Sequence, residues 1–224
     1  YPPYGYMDSD TGEYTGFDLE LAQAVCDMEG WELVKTPIEW ASKDAELNNG
    51  NIDCIWNGFT INGKEDKYEW SDPYVNNQQV VVAKNSGITK LADLKDKYVA
   101  AQSASAALQL LQKGGDQEKL GKTFKEIQEF PDYNTAFSEL EAGTVDAVAM
   151  DVGVAKYQVN NRNNNYVILD ENLNSEQYGI GFKKGNTELR DKVNADLKKL
   201  YDEGKVDELA KKYGIEDMIC LGDK

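Results

Sequence analysis

The sequence predicts an α/β protein made of two units of like topology. Helix-like and strand-like patterns alternate along the whole chain, which is the mark of a layered α/β architecture. A ten-residue pattern that begins at Glu46 recurs at Glu139. The 224 residues are more than one typical domain needs and suit two modest ones.

The first predicted helix follows Gly16. Leu21, Ala22, Val25 and Cys26 recur at i, i+1, i+4 and i+5, so they line one helical face. Thr15 or Asp18 is the expected N-cap, and Gly30 ends the helix. Trp31 to Pro37 then reads as a short strand, Ser42 to Asn49 as a helix, and Ile52 to Trp56 as an apolar strand. Val80 to Ala83 and Tyr98 to Ala101 read as further strands, with a turn and short helix between them over Gly87 to Asp96. Ser103 to Ala106 opens a helix that runs to Gln112, and Gly114 to Asp116 is a loop. Asn160 to Asn165 is polar and rich in Asn, which marks a loop tip. Leu189, Val193, Leu197 and Leu200 line one face of an amphipathic helix, and a last helix covers Val206 to Tyr213.

The repeat sets Glu46-Leu47-Asn48-Asn49-Gly50-Asn51-Ile52-Asp53-Cys54-Ile55 beside Glu139-Leu140-Glu141-Ala142-Gly143-Thr144-Val145-Asp146-Ala147-Val148. Each copy predicts a helix that ends at glycine, turns in two residues, and enters an apolar strand through Asp. Glycine suits the left-handed helix terminus, and a short apolar run suits a buried parallel strand. Shared Glu-Leu, Gly and Asp at matched offsets predict two lobes of the same topology. No flexible linker separates them, so ordered strands are expected to connect them, as a hinge requires.

Composition narrows the chemistry. The net charge of −16 argues against nucleic acid, whose phosphates need a basic surface. No run approaches the roughly 20 apolar residues of a membrane span. Histidine is absent and the three cysteines, Cys26, Cys54 and Cys220, form no CxxC pair, so no metal site of the usual Cys/His kind is expected. Cys26 and Cys54 read first as small buried hydrophobes, with a bond between them as the alternative. Without histidine the usual nucleophilic triads are excluded, and no GxGxxG or GxxxxGK[ST] loop occurs. No cofactor is expected. The chain opens at Tyr1-Pro2-Pro3-Tyr4 without an initiator methionine or a signal segment, which reads as a processed chain.

Binding is better supported than catalysis. Among 13 Tyr and 4 Trp residues, several fall at turns and element junctions instead of periodic core faces. Tyr1, Tyr4 and Tyr6 share a Tyr/Pro/Gly loop, and Trp40 stands at a strand-to-helix junction. Aromatic faces at such places make walls for a small ligand, or else serve as half-buried structural side chains.

Tyr1-Pro-Pro-Tyr-Gly-Tyr, Gly16-Phe-Asp-Leu-Glu-Leu-Ala, Trp70-Ser-Asp-Pro-Tyr74, Gln177-Tyr-Gly-Ile-Gly-Phe182 and the helix Gly204 to Tyr213 carry a family resemblance over essentially the whole length. The chain resembles the extracytoplasmic solute-binding proteins of ABC importers for polar amino acids. The resemblance implies a two-lobed periplasmic-binding-protein (Venus-flytrap) fold of type II with two hinge strands. Lobe 1 would comprise residues 1–78 plus 175–224, and lobe 2 residues 79–174, with crossings near Tyr74–Gln79 and Asn174–Tyr178. The family's first strand would lie just before Tyr1. The implied partners are a small amino acid, held in the cleft between the lobes, and a membrane permease that senses closure. A monomer in the periplasm, or a lipoprotein on a Gram-positive cell surface, is expected.

The resemblance also implies site residues. Tyr1 and Trp40 would sandwich the ligand side chain. In Asn57-Gly58-Phe59-Thr60, Asn57 joins the site, while Gly58 and Thr60 would give backbone and hydroxyl hydrogen bonds. Gln102, Ser105 and Ala106 would lie in the loop whose N–H groups receive the ligand's carboxylate. Asp151 would pair with its ammonium group. Lys64 stands where the family carries its carboxylate-binding arginine, in a loop one residue shorter. It keeps the charge and loses the planar fork that grips both oxygens. Ala41 stands where many relatives carry Asp. These two departures predict a weaker grip or a ligand other than a standard α-amino acid. Two other readings follow from the same scaffold: an enzyme that dehydrates prephenate-like or arogenate-like compounds with Glu or Lys as its acid, and a sensor domain of a larger receptor.

Overall fold

The computed structural model describes residues 1–84, 87–162 and 165–222. In chain order its elements begin with β1 (Tyr6–Met7), β2 (Tyr14–Thr15), α1 (Phe17–Glu29), α2 (Lys43–Asn48), β3 (Cys54–Ile55), β4 (Glu69–Trp70) and β5 (Val75–Lys84). The middle of the chain forms β6 (Tyr98–Gln102), α3 (Ala106–Leu111), α4 (Glu118–Gly121), β7 (Glu126–Phe130), α5 (Tyr133–Ala142) and β8 (Ala147–Asp151). The remainder forms α6 (Val152–Asn160), β9 (Tyr166–Ile168), β10 (Asn174–Tyr178), β11 (Gly181–Phe182), α7 (Thr187–Asp202) and α8 (Lys205–Tyr213). The chain divides into two compact units. Tyr1–Ile38, Ser42–Asn77 and Glu176–Lys224 make the first, and Glu39–Ala41 with Gln78–Ser175 make the second. β5 and β10 are the strands that run on from one unit into the other.

In the first unit α1 turns Phe17, Leu21, Ala22 and Val25 inward, on the face that the apolar spacing predicts. Gly30 ends it in the left-handed conformation, φ 70°. Neither expected side chain caps the start. The N-cap is Gly16, and a Cβ there would lie 2.2 Å from the Tyr4 carbonyl oxygen, so only glycine fits under the N-terminal loop. Val193, Leu197 and Leu200 of α7 and Val206, Leu209 and Ala210 of α8 close the core over Tyr4, Phe17, Tyr74 and Tyr178.

Strands β3 and β4 flank β11, antiparallel to it on both sides. The parallel pairing expected after the first copy of the repeat is therefore not formed there. The strand expected over Trp31 to Pro37 is absent as well. That segment pairs with no strand among the described residues, and Val34 is 72% exposed. An apolar-rich sequence becomes a strand only where a neighbour accepts its backbone bonds.

The second unit is built on a sheet ordered β10-β5-β8-β6-β7, with β9 also paired to β5. β8 is parallel to β6 and antiparallel to β5. Val81, Ala83, Val99, Ala147 and Ala149 fill its core with Ala107 and Leu111 of α3. The expected loop over Asn160 to Asn165 includes Asn163 and Asn164, which lie outside the described residues. The three cysteines are free, so Cys26 and Cys54 are not bonded to each other.

The repeat has a common physical basis. Gly50 and Gly143 adopt φ 77° and 80°. Their N–H groups donate to Leu47 and Leu140 carbonyls at 3.2 Å each, while Asn51 and Thr144 N–H groups reach back to Glu46 and Glu139 carbonyls at 3.0 and 3.1 Å. Even the side chains correspond, because Asn51 and Thr144 each donate to the glutamate that starts the motif. Gly50→Ala and Gly143→Ala are each expected to lower stability by about 1 kcal/mol, the cost of forcing a Cβ into the left-handed region. Urea unfolding of the two variants measures it.

Candidate functional site

Five of the expected site residues gather in the first unit. Tyr1 holds the N-terminal loop together, its carbonyl accepting from Tyr4 and Gly5 N–H groups at 3.0 and 3.3 Å. Its ring lies against Gly58. A Cβ on Gly58 would come within 2.4 Å of that ring, and φ at Gly58 is +55°. Asn57 donates from Nδ2 to the Gly5 carbonyl at 3.0 Å, tying its loop to the same N-terminal segment.

Two of the expected residues donate inside the protein. The Gly58 N–H is committed to Asp18 Oδ2 at 2.7 Å. The Thr60 hydroxyl donates to Glu176 Oε1 at 2.9 Å, where Asn77 Nδ2 also donates at 2.8 Å. These donors serve buried carboxylates, so Gly58 and Thr60 shape the loop. Lys64 folds back over that loop and is buried. Its Nζ lies 3.4 Å from the Thr60 carbonyl and 5.8 Å from the centre of the Phe59 ring. The Trp70 indole N–H fixes the Lys64 backbone through its carbonyl at 3.0 Å.

In the second unit β6 and β8 are neighbouring parallel strands, and the expected residues stand at their C-terminal ends. That is where open α/β sheets hold ligands. Gln102 closes β6, buried, with Nε2 donating to the Pro131 carbonyl at 3.2 Å. Its Oε1 is buried and has no hydrogen-bond partner among the described residues. Ala104 turns the next loop at φ 57°. Ser105 then caps α3, its Oγ accepting from Leu108 N–H at 3.2 Å, and Ala106 is the first helical residue.

Asp151 ends β8 and precedes α6, buried. Its carboxylate does not cap the helix. Oδ2 accepts from Gln79 Nε2 at 2.8 Å and Oδ1 from the Tyr133 hydroxyl at 3.3 Å. Trp40 belongs by its contacts to the second unit and starts a 3₁₀ turn, Trp40–Ser42, half-buried. Among the described residues no group of three or more His, Cys, Asp or Glu side chains could hold a metal ion.

A model of the bacterial extracellular solute-binding proteins, family 3, matches residues 1–216. The chain belongs to that family. This family 3 protein is 29% identical to the L-cystine-binding protein TcyA of Bacillus subtilis (strain 168) over 97% of its own length and 79% of the relative's. To the ABC transporter glutamine-binding protein GlnH of the same organism it is 31% identical, over 96% of this chain and 78% of the relative. Its fold is similar to a crystal structure of an ABC uptake transporter substrate-binding protein from Streptococcus pneumoniae with bound histidine. That likeness has a TM-score of 0.92 at 32% identity and covers 98% of this chain and 90% of the other. These relatives are named as binding proteins, which places the family 3 chain with solute binders and apart from enzymes. Among the described residues no helix is long and apolar enough to cross a membrane.

Asp18 is the functional group that sequence reasoning misread, as a helix cap. Its position beside Phe17 and four residues before Ala22 sets it on the buried face of α1, and that spacing is the signal that identifies it. It is completely buried, with Gly58 N–H on Oδ2 and the Tyr74 hydroxyl on Oδ1 at 2.8 Å. Burial pushes its carboxyl up from 3.8 to about 7, against the lowering effect of those two donors. A raised native value means that the folded state holds the proton more tightly than the unfolded one. Its contribution to stability is therefore complete below about pH 4 and is lost as pH rises through about 7. Compared with Asp18→Asn, the wild type should lose about 1.4 kcal/mol of stability per pH unit across that window and level off above it. Urea unfolding of both proteins at stepped pH measures the difference.

Proposed function

We propose that the protein binds one small polar amino acid and delivers it to an ABC importer by hinge closure. Lobe 1 would comprise residues 1–78 plus 175–224, and lobe 2 residues 79–174. The observation that carries this reading is the pairing in the second unit. A buried carboxylate, Asp151, and a loop leading into a helix start, Gln102 to Ala106, end two neighbouring parallel strands. An α-amino acid zwitterion needs an acceptor for its ammonium group beside N–H donors for its carboxylate. Asp151 takes the first role, and the main chain around Ser105 and Ala106 takes the second. Gln102 Oε1, which has no hydrogen-bond partner among the described residues, adds an acceptor for a ligand N–H.

In the first unit Tyr1 and Lys64 are assigned to the ligand's side chain and carboxylate respectively. Asn57, Gly58 and Thr60 form the loop that presents Lys64, and Trp40 supplies the second aromatic face. The relatives named for cystine and glutamine, and the structure holding histidine, support an amino acid as the ligand class. The protein acts as a monomer outside the cytoplasm, in the periplasm or as a lipoprotein on a Gram-positive surface.

Thermal-shift screening against the twenty amino acids, cystine and simple amines tests the reading. A ligand at about a hundred times its Kd stabilises by roughly 2.7 kcal/mol, so the melting temperature should rise by about 5–10 °C. No shift with any of them overturns amino-acid binding, and turnover of cyclohexadienyl substrates above background replaces it with the dehydratase reading.

The site assignments carry their own expectations. Asp151→Ala should weaken binding by about a hundredfold, since it removes one partner of a buried charge pair. Lys64→Arg should tighten it by about tenfold through a second charge-assisted hydrogen bond. Calorimetric titration with the screened ligand measures both.

A further inference from the structure

Asp18 has none of the binding roles assigned above, yet it joins the parts of the first unit that carry them. Its own N–H donates to the Tyr4 carbonyl and the Phe17 N–H to the Pro3 carbonyl, each at 2.9 Å, so the start of α1 is stitched to the N-terminal loop. That loop closes on the Tyr1 carbonyl through Tyr4 and Gly5. On the other side, Oδ2 anchors Gly58 and Oδ1 anchors Tyr74, just ahead of β5. The Tyr1 ring rests on Gly58 so closely that no side chain fits between them. The chain of contact thus runs from the Asp18 carboxylate through Gly58 to the Tyr1 ring.

We propose that the ionised Asp18 carboxylate is a positioning residue, which holds the Gly58 turn and through it the Tyr1 ring in the arrangement that binds the ligand. Only the last step rests on the amino-acid-binding reading. An ionised carboxylate accepts from both donors at once. Protonation at Oδ1 makes that oxygen the donor and the Tyr74 hydroxyl the acceptor, and it leaves Oδ2 a neutral carbonyl oxygen, whose bond from the Gly58 N–H is weaker than one to a carboxylate.

The groups around this carboxylate leave it to titrate alone. Tyr74 faces it directly, and Tyr74 is flanked in turn by Tyr4 and Cys54. Burial and the nearby Asp18 charge push the Tyr74 hydroxyl well above its usual value, and burial pushes the Cys54 thiol up to about 12. Asp18 itself, raised to about 7, changes charge at neutrality.

The test follows the Gly58 backbone amide by nitrogen-proton NMR of the full chain without ligand, from about pH 5.5 to about pH 8.5. The amide should move through a single transition near neutrality. Asp18→Asn should abolish it, and Tyr74→Phe, which removes one donor to the carboxylate, should shift it to higher pH. Affinity for L-glutamine and L-arginine, followed by calorimetry, should tighten about fivefold from pH 6 to pH 8 in the wild type and stay flat in Asp18→Asn.

A Gly58 amide that does not titrate, or that titrates unchanged in Asp18→Asn, overturns the proposal. So does an amide that titrates as expected beside an affinity that ignores pH. Should the amide behave as expected while neither amino acid binds at any pH, the anchoring of Gly58 by Asp18 stands and the amino-acid reading is what fails. Tyr74→Phe keeps the carboxylate, so the NMR arm remains decisive even if Asp18→Asn does not fold.

Discussion

Three buried carboxylates, each accepting one O–H and one N–H, organise this protein. Asp18 takes the Tyr74 hydroxyl and the Gly58 N–H, Glu176 takes the Thr60 hydroxyl and the Asn77 amide, and Asp151 takes the Tyr133 hydroxyl and the Gln79 amide. A carboxylate removed from water costs several kcal/mol unless such donors replace its hydration. The donors must therefore arrive in fixed positions, and the loops and strands that carry them are fixed as well. β5 supplies one donor in each unit, Asn77 in the first and Gln79 in the second. The connecting strand is thus tied to a carboxylate on each side of the crossing.

This constraint explains why the Gly58 N–H and the Thr60 hydroxyl donate inside the protein. Their hydrogen atoms satisfy Asp18 and Glu176, and what they offer is shape: a left-handed turn under an aromatic ring, and a loop over which Lys64 folds. In the second unit the Asp151 carboxylate has its two donors, while Gln102 Oε1 is buried with no hydrogen-bond partner among the described residues. The solved structure with bound histidine has a similar overall fold.

Elements whose partners are local were legible in the sequence. The helix after Gly16, the amphipathic helix through Leu189 and Leu200, and the doubled helix–Gly–strand motif follow from periodicity and from the φ > 0 demand at glycine. The motif keeps its hydrogen bonds in both copies because all its partners lie within five residues. What misled was pairing at long range. The segment from Trp31 to Pro37 has strand composition but no neighbour to bond, and β3 pairs antiparallel with β11, more than a hundred residues later. The spacing of Asp18 placed it on the buried face, yet its polarity invited a capping role. Only the positions of Gly58 and Tyr74 reveal what it does.

The sequence by itself determined the α/β class, the twofold repeat and the family, and it named the candidate site residues. These depend on residue type, spacing and order, which a linear chain carries in full. Tertiary structure decided which of those residues keep a free hydrogen-bonding group and which are committed to one another. The bond from Gly58 to Asp18 spans forty residues, and that from Thr60 to Glu176 spans 116. No local pattern encodes such distances, because burial, and with it the need for a partner, exists only once the chain has folded.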